Sequence, residues 1–298
     1  MPITYPASAP TLSGDIESIN RFLNSPTLIQ RALRTIAQQR FIGDFVLSGR
    51  GDSSGGAVLY EQNESIYPDR SAEAVEPGAQ FPTTTVGTGP GLIAAIKKWG
   101  LDTIVTEESI KRLRFNPVDR ALTKLVNGVI KQVDSVALAA INSAVTQTQA
   151  VPTAWATSTT ILRDVLTAKA TIAALNQGYD PDTLVVDDLT WAKLMSDPTV
   201  TNALRRESGD NPVYTGNLPE IAGLTIAPTP NLPTSGRAFV LDRKVLGSMI
   251  DEDAGGLTSK SWHEDDGPKV SEGWVLRAKR PVVPIVQEPN ACVALTGI

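Results

Sequence analysis

Apolar residues recur at helical spacing through the middle of the chain. From Asn116 to about Thr146, the residues Val118, Leu122, Leu125, Val126, Val129, Val133, Val136, Ala137, Ala140 and Ile141 fall on one face. Asn116 is a good N-cap, Pro117 takes the first helical position without losing a hydrogen bond, and Asp119 suits the positive end. A helix over 117–146 spans roughly 45 Å, two to three times the ordinary length. Gly128 interrupts it at a cost of about 1 kcal/mol relative to alanine, which points to a bend or a close approach there. The stripe follows a 3.6 period and lacks complementary flanking charges, so a coiled coil is the weaker reading.

Shorter patterns flank this helix. Ser25-Pro26 opens a helix with Leu28, Ile29, Ala32, Leu33 and Ile36 on one face, after a shorter helical candidate at 16–23. Thr106 caps a short helix whose first turn carries Glu107 and Glu108. Beyond residue 150 the pattern is mixed. A helix over 159–176 carries Ile161, Leu162, Val165, Leu166, Ile172 and Leu175 and ends near Gly178. "DTLVVDD" (182–188) reads as a buried strand, and 189–197 and 199–207 read as short helices, with a loop over 208–220. Residues 223–230 and 236–243 read as strands, and 244–251 fit either state. Residues 252–268 read as a polar loop, and 273–297 as two Val-rich strands with prolines suited to sheet edges.

Residues 45–90 have a different character. Phe45-Val46-Leu47 reads as a strand, and two further β-like runs, 56–62 and 80–86, flank a long polar stretch. A connection of about 16 residues is too long for a tight turn. A hairpin with so few apolar residues cannot fold on itself in water, so it needs a surface supplied by something else.

Composition narrows the chemistry. The chain has 298 residues, 41% hydrophobic and 20% charged, with a net charge of −5. This mildly acidic balance argues against a sequence-wide nucleic-acid binder. One cysteine, Cys292, excludes an internal disulfide, and with one histidine, His263, a soft-ligand zinc site is nearly excluded. No basic and apolar leader opens the sequence and no run of about 18 apolar residues occurs, so neither a signal peptide nor a membrane span is expected. The stretch Gly51-Asp52-Ser53-Ser54-Gly55 satisfies the G-x-S-x-G pattern of serine hydrolases. That motif needs a helix directly after the serine, whereas 57–61 is β-like. His263 lies some 210 residues later in a polar stretch. Ser53 therefore reads as part of a mobile entry into a hairpin, and no catalytic residue or cofactor is expected. Asp251, Asp253, Glu264, Asp265 and Asp266 match no calcium-loop spacing and read as solvated surface. The basic run of Lys97, Lys98, Lys111, Arg112, Arg114, Arg120 and Lys124 reads most simply as a solvated face, with mild attraction to a polyanion or an acidic neighbour as the sharper reading.

The order of parts is an N-terminal arm, a long hairpin, a long helix, an α/β region and a terminal β segment. It resembles the Hong Kong 97-type capsid fold of tailed bacteriophages, an α+β fold. Residues 96–141 ("IKKWGLDTIVTEES…ALAAI") resemble the run into and along the spine helix of actinobacterial-phage major capsid proteins. Residues 178–197 ("GYDPDTLVVDDLTWAKLMSD") resemble the strand and helix of their axial domain. The resemblance implies an N-arm over 1–44 and an extended E-loop over 45–87. It implies a peripheral domain of 88–150 and 272–298 with the spine helix at 117–146, and an axial domain over 151–271. The E-loop would lie across an adjacent subunit, with Val58, Leu59, Tyr60, Ile66, Tyr67 and Phe81 as anchors and Gly51, Gly55, Gly56 and Gly87 as its hinge.

The function so implied is a major capsid protein that assembles with itself into pentamers and hexamers. These form an icosahedral shell around double-stranded DNA, held by non-specific contact. Separate scaffolding, portal and decoration proteins are open partners, no membrane is involved, and the virion, assembled in the host cytoplasm, is the expected location. An encapsulin-like compartment shell is the alternative, and a serine hydrolase using Ser53 the weakest. Some family members cross-link an E-loop lysine to an asparagine of a neighbour. No lysine occurs between Phe45 and Thr85, so that bond cannot form from this loop.

Overall fold

The computed structural model describes residues 19, 22–37, 41–85, 87–113, 116–198, 200, 220–252, 256–264 and 273–298. The readings at 1–18, at 199–207 except residue 200, at 208–219, and at Arg114, Asp253, Asp265 and Asp266 lie outside them. The chain divides into two compact units. One draws on Met1–Phe41, Ile96–Val133 and Asp251–Val282, and the other on Ile42–Ala95, Asp134–Ile250 and Val283–Ile298.

The first unit is built on an antiparallel sheet. Strand β4 (Lys97–Thr106) and strand β11 (Thr258–Glu264) lie on either side of β12 (Gly273–Val286). Val105, Trp274, Leu276 and Ala278 are buried on one face. Helix α1 (Pro26–Ala37) packs near β11, where the Ser261 hydroxyl donates to the carbonyl of Leu23 at 2.8 Å. Ile19, Phe22, Leu23 and Ile29 are buried. Leu33 and Ile36 lie outside the side chains described.

The strand at 258–264 corrects the polar-loop reading. Thr-Ser-Lys-Ser-Trp-His-Glu has no apolar alternation, and its pairing to β12 from Thr258↔Lys279 to Glu264↔Gly273 defines it instead. Pro281 pairs with Lys98 of β4, and the β11 register ends at Lys279, two residues earlier, so the proline falls where no β11 ladder bond is needed.

Thr106 ends β4 and caps the next helix, α3 (Glu107–Leu113), accepting the amide of Ser109 at 3.3 Å. Helix α4 follows as one element from Asn116 to Ala144, 29 residues. Its stripe is buried largely as the periodicity predicts, with Ile130 and Leu138 added and Val136 and Ala140 only half-buried. A Cβ on Gly128 would fall 2.6 Å from Leu101 Cδ1, so the glycine marks a close approach by a side chain.

The second unit packs helices on a six-stranded sheet. The order is β5 (Thr148–Ala150), β13 (Cys292–Thr296), β9 (Arg237–Leu241), β6 (Thr183–Val186), β8 (Leu224–Pro228) and β7 (Glu220–Ile221). Strands β6 and β8 are parallel, and every residue of β6 is buried, as its unbroken apolar run requires. Helix α5 (Ile161–Ala173) lays Ile161, Val165, Ala168 and Ile172 into this core beside Trp155, Leu184 and Leu295. Asp187 caps helix α6 (Asp188–Ser196) through the amide of Thr190.

Residues 42–46 form helix α2, not the predicted strand. Its first amides explain this. Ile42 N–H and Gly43 N–H donate to the Asp134 carboxylate at 3.4 and 2.9 Å. Asp134 is buried in the stripe of α4, and a carboxylate at a helix N-terminus is favourable. Strand β1 (Gly49–Ser53) comes next, and Gly247–Glu252 forms β10, resolving the ambiguous segment as strand.

Two glycines at α4 should respond oppositely to alanine. Gly128→Ala meets only the flexible end of half-exposed Leu101. It should raise stability by about 0.5–1 kcal/mol through helix propensity. Gly43→Ala places a Cβ 2.9 Å from Ala137 Cβ and 3.2 Å from the Asp134 carboxylate, where nothing can swing away. A loss of about 1–3 kcal/mol is expected from such overpacking. Urea unfolding of the unassembled subunit measures both.

Candidate assembly surface

Among the described residues, the least covered segment lies between strands β2 (Ala57–Glu61) and β3 (Gly91–Ala95). These form a two-stranded antiparallel sheet, pairing Ala57↔Ala95 through Glu61↔Gly91. The second strand is therefore 91–95, and the predicted strand at 80–86 is not formed among its described residues, 80–85. Leu59 and Ile93 are direct cross-strand partners, yet they are 72% and 76% exposed. Side chains on a strand alternate, so Ala57, Leu59, Ile93 and Ala95 make one bare apolar face. Val58 and Tyr60 lie on the opposite face and are half-buried. Phe81, in the connecting loop, is 78% exposed. Two strands without a covering layer have no core of their own.

Ile93 belongs to this face and Leu92, opposite Tyr60, to the reverse one, and sequence reasoning missed both. The signal was a short apolar run, Gly-Leu-Ile-Ala-Ala, after the turn-rich Gly87–Pro90.

Residues 62–67 rest on their own subunit. Asn63 N–H donates to the Gln287 carbonyl at 3.0 Å, and Ile66 N–H to Gln177 Oε1 at 3.2 Å. Tyr67 Oη donates to the Asn176 carbonyl at 2.7 Å. Glu288 receives Glu64 N–H at 3.2 Å and Tyr179 Oη at 2.8 Å. Burial, and then the Glu288 carboxylate, push the Tyr179 hydroxyl well above its ordinary range, so it stays a donor. Ile66 and Tyr67 nevertheless remain 61% and 50% exposed.

The four glycines sit in different settings. Gly55 and Gly56 form the open turn between β1 and β2, with Gly56 at φ +70°. Gly51 is inside β1, where a Cβ would lie 2.6 Å from Ile250 Cδ1. Gly87 faces Asp69.

Ser53 ends β1, and its hydroxyl donates to the Ala57 carbonyl at 3.2 Å while lying 3.4 Å from the Gly55 amide. It braces a turn. His263 is on β11, 2.9 Å from Glu107. Glu107 is held below its ordinary value by hydrogen bonds from Lys111 and then His263. Lys111 pairs with Glu107 and Arg112 with Glu108, as expected of a solvated helix face. Asp251 belongs to Arg280, bonded at 2.8 and 3.1 Å. Among the described residues, no group of three or more potential metal ligands comes together, and no helix is long and apolar enough to cross a membrane.

Two measurements follow. Tyr67→Phe should speed amide exchange at residues 63–67 by up to about tenfold, the worth of one exposed hydrogen bond, without changing the global unfolding temperature. Cys292 is fully buried in β13 and burial pushes its thiol upward. Its alkylation in the native subunit should be at least about 100-fold slower than in the urea-unfolded chain.

Comparison with known proteins gives the same architecture. The capsid of cyanophage P-SCSP1u superposes with a TM-score of 0.64 at 14% identity, over 83% of this chain and 85% of that one. A virus-like particle from Pyrococcus furiosus gives 0.61 at 14% identity, over 90% and 97%. Microbacterium phage Oxtober96 gives 0.62 at 14% identity, over 86% and 91%. Identities this low speak for a shared Hong Kong 97-type fold. No curated protein matches in sequence. The family described as phage capsid protein matches over residues 90–295, from the last residue before β3 to the last but one of β13, and the chain belongs to that family.

Proposed function

We propose that this capsid protein closes with copies of itself into an icosahedral shell of pentamers and hexamers around double-stranded DNA. The observation that carries this reading is the bare Leu59–Ile93 face on a hairpin without a core. A neighbouring copy supplies the missing layer. Contacts of this head-to-tail kind close into rings. In this reading residues 1–44 are the N-arm, α4 is the spine helix, the second unit's six-stranded sheet is the axial core, and the E-loop runs on to Ala95. Leu59 and Phe81, with Ile93 added, are its anchors. The Gly55–Gly56 turn is its hinge, and Gly87 lies beyond the far end of the hairpin, against Asp69. Val58 and Tyr60 support the anchors from the reverse face.

The role is structural. Cohesion is non-covalent, since the loop offers no lysine. The particle is a virion component assembled in the host cytoplasm, and any scaffolding, portal or decoration protein is a separate chain.

Expression of the chain alone, followed by negative-stain microscopy, should give hollow particles, and a monomer at high concentration would overturn the reading. Nucleic acid in virions separates a genome container from a cargo compartment. Replacing 62–90 by an Asn-Gly turn joins Glu61 to Gly91 where they already pair. That variant should keep its far-UV circular dichroism and a cooperative unfolding transition, lowered by loss of the bonds of residues 62–67, but form no shells.

A further inference from the structure

One face of the β4–β12–β11 sheet carries more positive charge than the fold can use. Arg277 lies directly opposite Lys260 on one side and Asp102 on the other. Like charges opposed across strands destabilise a sheet. Asp102 relieves only Arg277, through bonds of 2.7 and 2.6 Å. Those bonds hold the Asp102 carboxyl below its ordinary value, so it is ionised at neutral pH and already committed. Lys260 is left with Trp262, its ammonium 5.9 Å from the ring, which Arg277 also overlies at 5.0 Å.

Lys279 and Lys98 extend the same face by two-residue steps. They border a cleft lined by Lys98, Gly100, Leu101, Asp102, Arg277 and Lys279. Its floor is Gly100, where a Cβ would strike the Ala278 carbonyl at 2.9 Å, so the cleft stays open. Lys98, Lys260 and Lys279 have no carboxylate partner among the described residues. Beside them Ile104 is 46% exposed, in the row of Val275 and Trp262.

The complement to this face is in the same sequence. Residues 61–76 hold five carboxylates, Glu61, Glu64, Asp69, Glu73 and Glu76, against one arginine and no lysine. All five are exposed, and exposed Phe81 follows them. We propose that the acidic loop 69–76 of one copy docks on the Lys98–Lys279 cleft of a second copy, with Phe81 seated toward Trp262 and Ile104. The inference rests on the shell reading and assigns its receptor. Duplex DNA is the poorer occupant. The Asp102 carboxylate sits within this short face, and three ammoniums give only a few phosphate contacts per copy.

The test is a charge exchange. Lys98→Glu with Lys279→Glu should cut the yield of closed particles at least about tenfold at 0.15 M salt, and adding Glu73→Lys with Glu76→Lys should restore most of it. In a second arm, Glu73→Cys with Lys279→Cys should oxidise into covalent multimers on a non-reducing gel, and buried Cys292 does not compete. This arm decides the matter even if the reversed chain fails to fold. A purely intrachain disulfide, or none, overturns the proposal. So does normal closure of the Lys98→Glu/Lys279→Glu chain, whether its nucleic-acid content is unchanged or reduced; the latter would assign the face to a polyanion. In either case closed wild-type particles leave the shell reading intact. If the wild-type chain forms no particle, the shell reading fails as well.

Discussion

An uncovered two-stranded sheet is the constraint from which the rest follows. Burying one Leu or Ile side chain is worth about 1.5–3 kcal/mol, and the Leu59–Ile93 pair forgoes most of that within the subunit. Single exposed apolar residues are ordinary on a monomer, but a paired row on a projecting hairpin marks a contact surface. The ladder satisfies only the inward-facing backbone groups of the two strands, so both outer edges and the apolar side-chain surface remain to be covered. A second copy of the chain can do that without either copy refolding.

The hairpin is tied to its own subunit beyond its far end and again ahead of its root. Residues 62–64 are tied to Val286–Glu288, where Gln62 Nε2 donates to the Val286 carbonyl at 3.0 Å. That segment continues into β13, which lies inside the six-stranded sheet. The buried carboxylate of Asp134 holds the start of α2, whose last residue, Val46, lies three residues before β1 begins. A buried charge is costly unless it is well bonded, and here helix amides take up that role. The hairpin thus leaves a body fixed by both hydrophobic packing and directed hydrogen bonds.

Legibility in the sequence followed the strength of each periodicity. The 29-residue helix was readable because its stripe repeats over eight turns and its Asn-Pro start is a strong signal. The strand at 258–264 was not, because its residues are polar on both faces. Ser261 bonds to the Leu23 carbonyl, while Lys260 shares Trp262 with Arg277, and no apolar alternation survives. The partner of β2 was misplaced for a related reason. Thr83-Thr84-Thr85 has high strand propensity but forms no ladder, whereas Gly-Leu-Ile-Ala-Ala reads as helix by composition and pairs because the turn-rich loop returns it to β2. Within the assembly surface, Leu59 and Phe81 could be found from the strand before the loop and the loop itself. Ile93 lies in an apolar run that could be read, but its place on the bare face depends on the register.

A net charge of −5 conceals a separation of charge along the chain. Acidic residues gather on the loop after β2, and lysines gather on one face of the β4–β12–β11 sheet. Neither group gains much from its own neighbours, because exposed ion pairs contribute about 0–1 kcal/mol. Between copies the balance changes. Repeated contacts of the same sign pattern favour one register and penalise the reverse, where acid would meet acid. Apolar contact alone would reward many arrangements of a finger against a neighbour. Charge laid out in this way selects among them, and a closed shell requires every copy to make the same selection.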